Sequence, residues 1–158
     1  MPADDGARTP PADDGPRTLP ADDGPRTLPA DDGPRTLLAD VRVGPSAIAG
    51  TGVFADGPMG SGTPVAHDGP INHSCDPNLW WTDGSLTIRR DVPAGEELTY
   101  DYATAIADPR FLLRCHCETY RCRQLVCGDD WRIPELQLRY AGHWGTDVQP
   151  LIDAALSG

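Results

Sequence analysis

From Leu38 onward, apolar and polar positions alternate in short runs separated by glycine and proline. Leu38-Ala-Asp-Val41-Arg-Val43 has the period of two expected of a half-buried strand, and Gly44-Pro45 is expected to end it. Gly50-Thr51-Gly52-Val53-Phe54 predicts a glycine turn feeding a short apolar strand. Residues 56–70 are rich in Gly and Pro and read as loop. Leu79-Trp80-Trp81-Thr82, then Asp83-Gly84, then Ser85-Leu86-Thr87-Ile88 predicts a β-hairpin with an Asp-Gly turn. After a second turn at Val92-Pro93-Ala94-Gly95, residues 97–102 predict another short strand. The period changes near the end: Pro134-Glu-Leu-Gln-Leu-Arg-Tyr140 and Pro150-Leu-Ile-Asp-Ala-Ala-Leu156 each predict a helical segment opened by proline. The expected fold is mostly β, made of short strands, with a cysteine-rich knot and a short helical C-terminus.

The first 37 residues differ. Four copies of a nine-residue unit built on Ala-Asp-Asp-Gly-Pro-Arg-Thr offer almost nothing to bury. Such units cannot offset chain entropy, so residues 1–37 are expected to be a disordered tail. Composition supports the rest of the picture. Gly and Pro number 17 each, which argues against a helical bundle. The formal net charge is −11, and all 13 basic residues are Arg. An acidic chain is a poor general nucleic-acid binder and favours a cationic partner. No apolar run approaches a membrane span, and no signal-peptide pattern opens the chain. The expectation is a cytoplasmic protein with reduced thiols, in which five cysteines point to metal before disulfides.

Three patches could carry chemistry. Cys115-His116-Cys117-Glu-Thr-Tyr-Arg-Cys122 puts three thiols within eight residues, the spacing of a structural zinc site. Cys127, the distant Cys75 and, more weakly, His116 are the choices for a fourth ligand. Asn72-His73-Ser74-Cys75-Asp76-Pro77-Asn78 is the second patch. The expectation is that His73 and Cys75 point apart along an extended segment, so a Cys–His nucleophilic pair is disfavoured and a polar turn is the plain alternative. The third is Gly95-Glu96-Glu97-Leu98-Thr99-Tyr100-Asp101-Tyr102, where Tyr100 and Tyr102 are expected on one strand face and Glu96 and Glu97 as solvated turn charges. Cross-strand packing is the plain reading of the tyrosines.

Taken together and in this order, the patches resemble the SET-domain family of protein-lysine methyltransferases, over roughly residues 40–128. Gly50-Thr51-Gly52 is similar to the family's first glycine motif, residues 72–78 to its most diagnostic motif, residues 95–102 to its catalytic strand, and Cys115 to Cys122 to its post-SET zinc loop. The resemblance implies a β-clip of short curved strands, with a SET domain over 38–114, a post-SET loop over 115–128 and a helical tail, of bacterial type, over 129–158. It implies S-adenosylmethionine as cofactor, bound by Gly50, Thr51, Gly52, Asn72, His73 and Tyr102. It implies Tyr102 as the catalytic tyrosine, with Tyr100 biasing the outcome toward monomethylation. It implies zinc held by Cys75, Cys115, Cys117 and Cys122, which leaves Cys127 over. The implied substrate is a lysine side chain of a Lys-rich basic protein, with no direct nucleic-acid or membrane partner and a monomeric enzyme.

The chain departs from the family pattern between Phe54 and Asn72, where only 17 residues stand. The family places a longer segment there, which forms one wall of the substrate groove. The alternative reading is therefore a catalytically inactive remnant, kept as a zinc-stabilised binding module.

Overall fold

The computed structural model describes residues 41–66 and 69–158. The repeats of 1–37, and residues 38–40 of the first expected strand, lie outside them. The described residues form eight short strands, two single 3-10 turns and two short helices, a mostly β architecture.

The main sheet has the order β1-β2-β6-β3. Strand β1 (Val41–Pro45) pairs antiparallel with β2 (Thr51–Ala55), so Gly44-Pro45 does not break it. Pro45 is tolerated because β1 is an edge strand and Pro45 is its last residue, opposite Thr51. The chain turns at Gly50, whose φ of 47° suits glycine, and Gly50 O accepts from Ser46 N at 2.9 Å. Strand β2 pairs antiparallel with β6 (Glu97–Tyr100), and β6 pairs in parallel with the two-residue β3 (Asn72–His73). This last pairing sets Asn72 opposite Thr99 and His73 opposite Tyr100, joining two of the three candidate patches.

The expected hairpin forms as β4 (Leu79–Thr82) and β5 (Ser85–Ile88). Asp83 and Gly84 both have positive φ, 49° and 79°, the conformation a two-residue hairpin turn requires. The stretch read as loop is more ordered than its composition implies. Met59 bridges Val92, Pro64 bridges Thr87, and Met59 and Val65 are buried. They complete a core with Val53, Ala55, Leu79, Ile88, Val92 and Leu98.

Strand β6 stops at Tyr100, short of the expected Tyr102. Asp101 caps a single 3-10 turn, Tyr102–Thr104, by accepting from Ala103 N at 3.0 Å. Two strands that the sequence did not announce, β7 (Leu112–Arg114) and β8 (Leu125–Cys127), pair antiparallel and close the cysteine loop at its base. Gly128 follows directly, where any Cβ would overlap the Asp108 backbone. Beyond it lie a 3-10 turn (Asp130–Arg132), helix α1 (Pro134–Arg139) and helix α2 (Gln149–Leu156). Their apolar faces bury Trp131, Leu136, Tyr140, Trp144, Val148 and Ile152 with Ala103 in a second core. No helix among the described residues is long and apolar enough to cross a membrane.

Candidate active site and thiolate centre

The site begins with Asn72, buried on β3. Its amide nitrogen lies 3.0 Å from Ala49 O, 3.1 Å from Thr51 O, 3.1 Å from Ser46 Oγ and 2.8 Å from Glu97 Oε1. Two hydrogens are shared among these acceptors, and the effect is to hold the 46–51 turn in place. Ser46 Oγ in turn donates to the Glu97 carboxylate at 2.8 Å and accepts from Ile48 N at 2.9 Å. Glu97 is thus the half-buried anchor of the turn and not a solvated charge. Glu96 is likewise engaged, by Asn78 Nδ2 and Arg90 Nη1, both at 3.0 Å. Gly52 has its own local reason: a Cβ there would overlap the Glu97 carboxylate. Replacing Glu97 with Ala removes the acceptor of two side-chain donors. The expected cost is about 1–3 kcal/mol of stability in denaturant titrations, together with weaker binding of any ligand that the turn helps to hold.

Ile48 and Ala49 from this turn, Asn72 and His73 from β3, Tyr102, and residues 113–116 line a pocket of about 130 Å³. Gly50, Thr51 and Gly52, expected to bind the cofactor, are not among the residues that line this pocket; Gly50 makes the turn and Gly52 passes against Glu97. Ile48, Ala49, Leu113 and Arg114 carried no motif in the sequence, and their signal is only proximity to residues that did; His116, weighed as a metal ligand, lines the pocket instead.

Tyr102 Oη donates to Ile71 O at 2.9 Å, and Tyr102 N donates to His73 Nδ1 at 3.1 Å. The rings of Tyr100 and Tyr102 lie 4.9 Å apart although the two residues occupy different elements, and Trp81 meets Tyr100 edge-on at 5.9 Å. Burial, reinforced by Tyr102, pushes the Tyr100 phenol up to about 12, and burial raises Tyr102 as well. Both hydroxyls therefore stay neutral and able to donate.

On the other side of His73 lie the thiols. The sulfurs of Cys75, Cys115, Cys117 and Cys122 all fall within 4.8 Å of one another. Cys75 and Cys115 are 3.8 Å apart, against an edge of about 3.8 Å for a tetrahedron with zinc–sulfur bonds of about 2.3 Å. The donor set and its spacing fit zinc. Cys127 sits apart on β8, grouped with Asp129 and Asp130, and His116 is exposed. Burial drives the Cys75 thiol up to about 11 and raises Cys115 as well. Burial also opposes ionisation of Cys117, but hydrogen bonds, Thr119's foremost, bring it down to about 6.

His73 and Cys75 do not point apart. Nε2 of His73 lies 3.2 Å from Cys75 Sγ, because residues two apart in an extended chain share a face. Nδ1 accepts from Tyr102 N, so the proton resides on Nε2 and points at sulfur. Burial lowers His73 to about 4, with Asp101 opposing and Arg123 reinforcing the shift, which keeps the ring neutral. Both ring nitrogens are thus engaged within the protein.

Sequence reading missed the ion network beneath these groups. Arg123 makes a two-pronged contact with Asp101, 2.8 Å on each prong, and its Nε reaches Asp130 at 2.9 Å. Tyr140 Oη donates to Asp101 at 3.1 Å. A charge pair 22 residues apart in the chain leaves no local pattern to read.

One comparison with known proteins falls on this same region. Residues 58–103, from the short segment through the Tyr102 turn, match the family model described as SET domain. Over these residues the chain is similar to a SET domain. Its relatives include the histone-lysine N-methyltransferases ash1 of Drosophila melanogaster (36% identical over 74 residues, 42% of this chain and 3% of that protein) and ATX2 of Arabidopsis thaliana (44% over 64 residues, 35% and 6%). A third is the H3 lysine-9 specific KMT1 of Fusarium mangiferae, 32% identical over 76 residues, 35% of this chain and 22% of that protein. This chain therefore spans a small part of these relatives' length. Among solved structures, KRYPTONITE in complex with mCHG DNA and SAH is similar with a TM-score of 0.45 at 23% identity, over 54% of this chain and 28% of that one.

Proposed function

We propose that the protein is an S-adenosylmethionine-dependent protein-lysine methyltransferase. The observation that carries this reading is the placement of Tyr102: it lines a pocket with Ile48, Ala49, Asn72 and His73, beside four convergent thiols. In this reading the SET domain occupies 38–114, the post-SET metal loop 115–128, and a helical tail 129–158.

The residues suit the chemistry. S-adenosylmethionine supplies a methyl group on a positively charged sulfur. The pocket offers apolar Ile48, Ala49 and Leu113 together with polar backbone along the turn, held by Asn72 and Glu97. The substrate must present a neutral amine, and deprotonating a free lysine at pH 7 costs about 4.6 kcal/mol. The aromatic band of Trp81, Tyr100, Tyr102 and Phe111 is half-buried and would lower that cost by desolvating the ammonium. The Tyr102 hydroxyl, fixed by Ile71 O, serves to orient the amine, so catalysis is mostly alignment. The Tyr100 hydroxyl favours stopping after one methyl group. The acidic chain suits a Lys-rich protein substrate, and the four thiolates would hold zinc as a structural ion.

The test is calorimetric titration of S-adenosylmethionine into metal-loaded protein, followed by mass analysis of a Lys-rich acceptor. Saturable one-to-one binding and gain of a single methyl group are expected. No binding by a folded, metal-replete sample would refute the enzyme and leave a zinc-held binding module.

A further inference from the structure

We propose that Arg123 is a positioning residue, which fixes the turn carrying Tyr102 to the thiol loop through Asp101. The inference rests on the methyltransferase reading above for its catalytic consequence, but its geometry stands apart from it.

Arg123 follows Cys122 directly, so its backbone belongs to the thiol loop. Its N–H donates to Cys75 Sγ at 3.3 Å. Its guanidinium leaves the loop and grips both oxygens of Asp101, whose side chain is fully buried. Asp101 sits at the hinge between β6 and the Tyr102 turn, and the same carboxylate caps that turn through Ala103 N. Asp130 fixes the third prong of Arg123, and Tyr140 the outer face of Asp101, so the fork has little freedom. Meanwhile His73 links Cys75 Sγ to Tyr102 N by a separate route. Two chains of hydrogen bonds therefore leave one sulfur and converge on adjacent residues of one turn. A planar, bidentate contact of this kind specifies orientation as well as charge, which a lysine cannot reproduce. Arg123 lies behind the turn and does not line the pocket, so its role is to set where Tyr102 stands.

Arg123→Lys keeps the charge that buried Asp101 needs and removes the fork. The expected result is one metal ion per chain, an unchanged KM for S-adenosylmethionine and a kcat lowered about 100-fold, the scale of a misplaced catalytic group. Amide hydrogen exchange should quicken at residues 102–104 and remain as in the parent protein in β2 and β5. Asp130→Ala, which removes the acceptor of the third prong and leaves the Arg123–Asp101 fork in place, should show the same local pattern with a smaller loss of kcat, and it serves if Arg123→Lys does not fold. Unchanged exchange at 102–104 in the folded variant would overturn the proposal. So would protection lost equally across the domain, which is the mark of a merely structural role. Parent protein without methyl transfer would refute the enzymatic reading, while the exchange comparison would still decide whether Arg123 holds the turn.

Discussion

Tyr102→Phe is expected to reduce methyl transfer by about 10²–10³-fold, the usual effect of removing one preorganised hydrogen-bonding group at a reacting centre. The hydroxyl is neutral at any working pH, because burial raises its phenol. It donates to Ile71 O at 2.9 Å, and the ring meets His73 edge-on at 5.2 Å. The substitution therefore deletes one oxygen from a ring that remains packed. Cofactor affinity, metal content and melting temperature should stay near those of the parent protein, with the whole loss appearing in kcat. A variant that transfers methyl groups at the parental rate would remove Tyr102 from the mechanism. Equal loss of cofactor binding would instead make it a binding residue.

Stripping the metal is expected to abolish the folded state of residues 41–158. A structural zinc site contributes about 10–16 kcal/mol near neutral pH, comparable to or above the whole stability of a domain, about 5–15 kcal/mol. The dependence is strong here because Cys75 and Cys115 are buried beside Val126 in a core that also contacts Tyr102 and Phe111. Without an ion that cluster presents packed thiols and, at Cys117, a group ready to ionise. Melting curves with and without chelator, with metal counted on the same samples, read the effect. Cys75→Ser should lose the ion; Cys127→Ser should keep it, since Cys127 lies outside the four-sulfur cluster. A melting curve unmoved in protein shown to be metal-free would assign the cluster no structural role.

What was legible in the sequence follows from how local each signal is. The Asp83-Gly84 hairpin and the proline-opened helices were readable because turn chemistry and period act between near neighbours. The 3-10 turn at Tyr102 was not, because its cause is a cap by Asp101 that is itself held from the far side by Arg123. Strands β7 and β8 were hidden because each is three residues long and exists through its partner. Glu97 looked like a surface charge because its partners, Ser46 and Asn72, are 51 and 25 residues away.

The sequence by itself determined the residue types of the site, their order and the short-stranded character of the chain. Those depend on spacing and on backbone preferences that each residue carries wherever it lies. The four thiols that converge are those the family resemblance implied; only the tertiary structure decided that His73 is committed between Cys75 and Tyr102, and that Glu97 and Arg123 stand as anchors of the two turns. Those assignments depend on distances between residues tens of positions apart, which packing fixes and a linear pattern does not contain.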